Sequence, residues 1–185
     1  GLTLLALAAA ALTACGGGSG GSASNAPGPA SAGCSDCGTL LVGMTDADGD
    51  FLSYSVDVLA VTLKRPNGAS VSLLPATTRI DFSQLTDIAD LLTVATVAPG
   101  DFVGGKIRLD YTNAEVVVES GGQMVPAKIV GEDGNPLGVV DLEIELSNRE
   151  HLVITPRRAA FLSLDFDLAA SNVVDLTKSP PVVTA

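Results

Sequence analysis

Tryptophan is absent from this 185-residue chain, and aromatic residues make up only 4% of it. Sites that grip sugars or stack bases lean on aromatic platforms, so both activities start at a disadvantage, with Tyr54, Tyr111 and Phe102 available for them. Basic residues are also scarce, 10 against 21 acidic ones, for a net charge of −11. Such a body repels phosphate backbones and has no basic stripe, which argues against nucleic acid as a partner. One His and three Cys are too few for a zinc ribbon, which needs a second ligand pair beside a C-x-x-C. P-loop, Rossmann glycine pattern, H-E-x-x-H and G-x-S-x-G elbow are all missing. Without a nucleophile to serve, His151 after Asn148-Arg149-Glu150 reads as a turn residue, and the Arg157-Arg158 pair as a solvated offset to nearby acid. No charge precedes Asp36, so the whole net charge belongs to residues 36–185.

The uncharged start is itself informative. Gly1 to Leu12 is an Ala/Leu-rich run, shorter than the ~20 residues that span a ~30 Å hydrocarbon core. It leads into Leu12-Thr13-Ala14-Cys15-Gly16, with small residues at the cleavage point of a signal peptide. This run resembles the lipobox of bacterial lipoproteins. The resemblance implies that residues 1–14 are removed and that Cys15 becomes the mature, diacylglycerol-bearing N-terminus, holding the chain on the cell envelope by lipid. Gly16 replaces the Asp that retains such proteins at the inner membrane, which implies the outer membrane. Each buried acyl methylene contributes about 0.8 kcal/mol, and several chains make a stable anchor. The Met and basic n-region that open a signal are missing, so the chain reads as one that has lost its first residues. Gly, Ser, Ala and Pro dominate residues 16–33, a flexible tether with a mean reach of about 25 Å.

From Gly38 to Leu176 the pattern is of short β-rich runs between turn residues, the size of one domain of about 150 residues. Expected strands are 39–44, 54–63, 70–74, 102–111, 115–119, 124–130, 139–146 and 159–168. Tyr54 to Leu63 is apolar enough to be buried on much of both faces, and Pro66-Asn67-Gly68 turns it into a hairpin. Asp141, Glu143 and Glu145 occupy the wet face of 139–146. In Ser83 to Val94, Leu85, Ile88, Leu91 and Leu92 recur at helical spacing behind Ser83 as N-cap, which predicts a short helix on the sheet. Lys178 to Ala185 reads as a tail or a linker to a missing region. The fold expected is a single all-β antiparallel sandwich with one short helix over 83–94.

These residues resemble a known family. A Gly-x-Leu-x-Val-x-x-Thr-Asp start at Gly38–Asp46, Asp-Phe-Ser-Gln-Leu at Asp81–Leu85, Pro-Gly-Asp-Phe at Pro99–Phe102 and Asp165-Phe166-Asp167 with Ser171 occur in that order. In this they resemble the bacterial lipoprotein domain of unknown function 4382. The resemblance covers about residues 38–176 and implies a prealbumin-like, carboxypeptidase-regulatory-like sandwich with no established activity.

Three clusters invite chemistry. Cys34 and Cys37 in Gly33–Gly38 precede the first strand, where a redox C-x-x-C would come after one. Outside the cytoplasm a structural disulfide is the leading reading, ahead of a redox pair or free thiols. Asp46, Asp48 and Asp50 alternate as Ca²⁺ ligands do, but Phe51 stands where an EF-hand needs Gly and Asp57 where it needs Glu. A solvated Asp-Gly turn is the simpler reading, with Ca²⁺ as the only cofactor in play. Asp165 and Asp167, two apart, would share one strand face, either as an outer face above Leu164, Phe166 and Leu168 or as a hydrolase's carboxylate pair. The expectation is a lipid-anchored, non-catalytic sandwich that binds a glycan or protein partner. A carbohydrate-binding module and a carboxylate-dependent hydrolase are the alternatives.

Overall fold

The computed structural model describes residues 34–46, 51–85, 90–146 and 152–185. Valine, threonine and leucine fill the strands, as β-branched and apolar side chains do on a pleated, half-buried surface. In chain order the strands are β1 Gly38–Asp46, β2 Phe51–Lys64, β3 Ser70–Ser72, β4 Thr78–Asp81, β5 Asp90–Val97, β6 Gly100–Phe102 and β7 Gly104–Ser120. They continue as β8 Gln123–Val130, β9 Val139–Glu145, β10 Leu152–Ile154, β11 Ala159–Phe166, β12 Val173–Asp175 and β13 Val182–Thr184. A 3₁₀ turn, Phe82–Gln84, and one turn of helix, α1 Leu168–Ser171, complete the described elements.

The all-β, sandwich-like fold is as expected. A three-stranded sheet, β11-β1-β5, faces a larger one built on the β2–β7 pair, with β3 and β4 on β2 and β8 and β9 on β7. Inward side chains from both close one core, among them Leu40, Val42 and Met44 of β1, Val56, Val58 and Val61 of β2, and Ile107 and Leu109 of β7. The sheets are mixed rather than antiparallel. β1 runs parallel to β11, and β8 parallel to β13.

Register shifts explain two further differences. In β2 burial picks out Tyr54, Val56 and Val58, then resumes at Val61 and Leu63. A shift between Val58 and Ala60 moves the alternation by one residue and keeps all five on the core side. The strand therefore has one buried stripe rather than two buried faces. In β7 the partner of Asp57 is Asp110 and that of Ser55 is Glu115, so residues 111–114 bulge out opposite Val56. The two strands expected at 102–111 and 115–119 are thus one strand with a bulge. It pairs with β9 on one side of the bulge and β8 on the other.

The helix expected at 83–94 does not form. Asp81, not Ser83, caps the turn at Phe82–Gln84, accepting from Ser83 N, and residues 90–97 are β5, antiparallel to β1. Thr93, Ala95 and Val97 are buried while Val94 and Thr96 are exposed, the period of a strand. Leu91, counted towards the helix, is 54% exposed, and Ile88 lies outside the described residues. Backbone pairing with β1 and the β-branched run Thr93-Val94-Ala95-Thr96-Val97 outweigh a three-turn apolar spacing. The helical turn that does form, α1, comes after the strand expected at 159–168, which ends at Phe166.

The C-terminal residues belong to the domain rather than to a tail. β13 pairs with β8 and β12, Val183 is fully buried, Pro181 O accepts from Lys128 N at 2.8 Å, and Ala185 N donates to Val130 O at 3.0 Å. Three short residues at the end of a Pro-Pro run carry no period that a sequence pattern detects. Val183→Ala should destabilise the protein by about 2 kcal/mol, a fall in Tm of about 6 °C measurable by calorimetry. A linker there would leave Tm unmoved.

Candidate functional site

Among the described residues, two clefts lie where the edges of the sheets face each other. On one side, Met44, Ile80, Asp81, Leu85, Leu91 and Leu92 line a cleft of about 440 Å³ between β4 and β5. Its carboxylate is already engaged. Asp81 accepts from Tyr54 N and Ser53 Oγ at 2.8 Å each and from Ser83 Oγ at 2.7 Å. Burial pushes the Asp81 carboxyl up, but these donors outweigh it and hold it below the usual carboxylate range. Asp81 ties β4 and the 3₁₀ turn to β2 and is not free for chemistry.

On the other side, β9 and β11 form the seam. A groove of about 480 Å³ runs between them, lined among others by Ile107, Leu142, Glu143, Glu145, Asp165 and Asp167. It continues into an apolar cavity of about 210 Å³, the two sharing Leu142, Phe166, Asp167 and Ser171. Tyr54 and Tyr111 line the cavity, their rings edge to face at 6.4 Å, and Tyr54 Oη donates to Asn172 Oδ1 at 3.0 Å. Asn172 Nδ2 donates in turn to Leu168 O at 2.9 Å, so the polar atoms at this end of the core are satisfied. Burial raises the Tyr111 hydroxyl above its usual pKa, keeping it neutral. The cavity is smaller than the ~300 Å³ of the smallest drug-sized ligand sites and suits a single large side chain.

The outer side of β9 is charged and paired. Arg108 Nε and Nη2 donate to Asp141 at 2.7 and 3.0 Å, and Lys106 Nζ reaches Asp141 at 3.4 Å and Glu143 at 3.2 Å. The Arg108 hydrogen bond holds the Asp141 carboxyl low, and the Glu143 hydrogen bond holds the Lys106 ammonium high. Asp141, Glu143 and Glu145 are exposed as expected, although Val139 and Leu142 are exposed beside them.

Of the expected site residues, Cys34 and Cys37 are joined in a disulfide, Cα atoms 5.4 Å apart, just ahead of β1. Arg157 lies 3.6 Å from Asp36 and donates its backbone N–H to Cys37 O, so Arg157 offsets acid near that loop. Cys15, Asp48, Asp50 and His151 lie outside the described residues, and Asp46 is described only as the backbone end of β1, so the calcium expectation falls outside them as well. Asp165 and Asp167 do not share a strand face. β11 ends at Phe166, and Asp167 caps α1, accepting from Ala170 N at 2.8 Å, while Asp165 accepts from Thr45 Oγ1 at 3.1 Å. Both nonetheless line the groove. Tyr54 and Phe102 are buried in the core, Phe102 beneath the Arg65 guanidinium at 4.6 Å, so neither is a surface platform for a sugar. The cavity's Asn172, and the meeting of β9 with β11, carry no signal in the sequence, because the residues that build them come from five separate stretches, around 54, 111, 137–142, 166–172 and 185.

No family model, no curated protein and no solved structure matches this chain. Among the described residues no helix is long and apolar enough to cross a membrane.

Asp81 makes a testable prediction. A carboxyl lowered in the folded state stabilises it above the ordinary pKa, and that contribution is lost as pH falls through the lowered value. Asp81→Asn should cost about 1–2 kcal/mol at neutral pH, with the gap to wild type closing below about pH 4. Urea unfolding across pH measures this, and a pH-independent gap would count against it.

Proposed function

We propose that this chain is a bacterial cell-envelope lipoprotein, anchored by lipid on Cys15, whose sandwich is a non-catalytic binding module. The run Leu12–Gly16 followed by a Gly/Ser-rich tether carries the reading. Among the described residues the first strand begins at Gly38, just after the Cys34–Cys37 disulfide, which supports it. In the sequence, the Gly/Ser-rich stretch 16–33 lies between Cys15 and that disulfide. Gly16 after the Cys favours the outer membrane.

Binding rather than catalysis is favoured by what the carboxylates already do. Asp81 and Asp167 hold turns, and Asp141 holds Arg108. Asp165 accepts from Thr45 across the β1–β11 pair. The seam groove, with an apolar pocket at one end, has the form of a recognition site. A protein partner is preferred to a glycan because Tyr54 and Phe102 are spent in the core.

The anchor is tested by expressing the full chain behind a complete signal sequence in a Gram-negative host fed labelled palmitate. The wild type is expected in the membrane fraction carrying label. Cys15→Ser is expected to lose the label and leave that fraction. Label retained by Cys15→Ser, or an unlabelled soluble wild type, would overturn the reading.

A further inference from the structure

Open strand edges pair with foreign strands unless Lys, Pro, bulges or a covering element guard them. β9 is guarded by Asp141, Glu143 and Glu145. β11 is not. Its sequence, Ala-Ala-Phe-Leu-Ser-Leu-Asp-Phe, has no Lys, no Pro and one charge. Its register with β1 runs without a shift from Thr39↔Ala159 to Asp46↔Phe166. Among the described residues, β11 pairs with β1 alone, leaving its other edge open. That edge borders the groove whose carboxylates are Glu143, Glu145, Asp165 and Asp167, with Lys106, on Glu143, as their neighbouring cation.

From this juxtaposition we infer that the seam is a docking site for an extended basic peptide segment, which adds as a strand to the free edge of β11. Main-chain hydrogen bonds to β11 supply affinity, as in other strand additions. Side chains of the added strand alternate, so every second one can be a Lys or Arg set against Glu145 and Asp165 of the groove. One large apolar side chain fills the cavity beside Tyr111 and Phe166. Charge selects this occupant over others. A second copy of the chain brings a net charge of −11 to an acidic groove, and a nucleic acid or anionic headgroup brings more of the same sign. No group of three or more His, Cys, Asp or Glu suited to a metal ion occurs among the described residues. The inference rests on the reading of the sandwich as a binding module and names the chemistry of its partner.

The full chain is titrated with a fluorescent peptide of eight residues, the length of β11, alternating Lys and Val and ending in Phe. Saturable binding that weakens with added salt is expected. The Glu145→Lys/Asp165→Lys variant, whose exposed side chains can be exchanged without touching the core, should bind about tenfold more weakly or worse. Methylating alternate peptide nitrogens should abolish binding, and replacing the peptide's Phe by Ala should weaken it about tenfold. Circular dichroism and Tm confirm that the variant is folded. Absence of saturable binding, equal affinity for the charge-reversed variant, or undiminished binding by the methylated or Ala peptide would each overturn the inference. So would a sedimenting dimer whose β11 amides are protected without peptide, which would assign the edge to a second copy. These readouts need no acylation. Their failure leaves membrane attachment standing, and failure of the palmitate experiment leaves peptide binding standing.

Discussion

Everything in the larger sheet hangs on the pairing of β2 with β7. These are the two longest strands, 14 and 17 residues, and β3, β4, β8 and β9 each attach to one or the other. The pair is irregular, and its irregularities are what make it useful. The shift at Val58/Ala60 keeps Val61 and Leu63 in the core after Tyr54, Val56 and Val58. The bulge at 111–114 divides β7 into a length that pairs with β9 and a length that pairs with β8. Gly105 is fitted to this ladder, since a Cβ there would meet Thr62 O on the opposite strand. Asp81 adds a polar clamp from β4 to the start of the same strand.

Once that ladder is fixed, the seam is fixed with it. β9 lies at one edge of the larger sheet and β11 at one edge of the smaller, and the two edges face across a groove instead of closing it. β11 reaches that position by running parallel to β1, a pairing that requires a long crossover rather than a tight turn. The chain between Asp46 and Ala159 makes that crossover, and within it lie β2, β3, β4, β7, β8 and β9 of the larger sheet, to which β12 and β13 are added after β11. α1 then turns the chain at Asp167, placing Leu168 and Asn172 behind Tyr54 to close the apolar end of the groove. The proposed recognition site is therefore a product of topology, with no motif of its own.

That topology explains which parts of the molecule are legible in its residues. Strand content is, because Val, Leu and Thr runs between Pro-Asn-Gly, Gly-Gly and Asp-Gly-Asn-Pro punctuation report local backbone preference. β1, β2, β8 and β9 lie where those runs put them. β5 is not, because Leu85, Leu91 and Leu92 imitate a helical stripe, while the pairing of β5 with β1 is a nonlocal fact. The run that forms β2 suggests two-faced burial because a one-residue shift mimics it. β12 and β13 are three residues each, too short for any period to show. Asp165 and Asp167 stand out as a pair, but for a shared face they do not have. Their real relation, one on the strand and one capping the helix after it, depends on where β11 stops.

Native-state hydrogen exchange on the full chain tests the central claim, that the β2–β7 ladder is the element on which the rest depends. The account predicts that amides of Val58, Val61, Ile107 and Leu109 exchange only through global unfolding, with β9 and the free edge of β11 opening at lower cost. Exchange of the β2–β7 amides at the same rate as those edges, or faster, would contradict it.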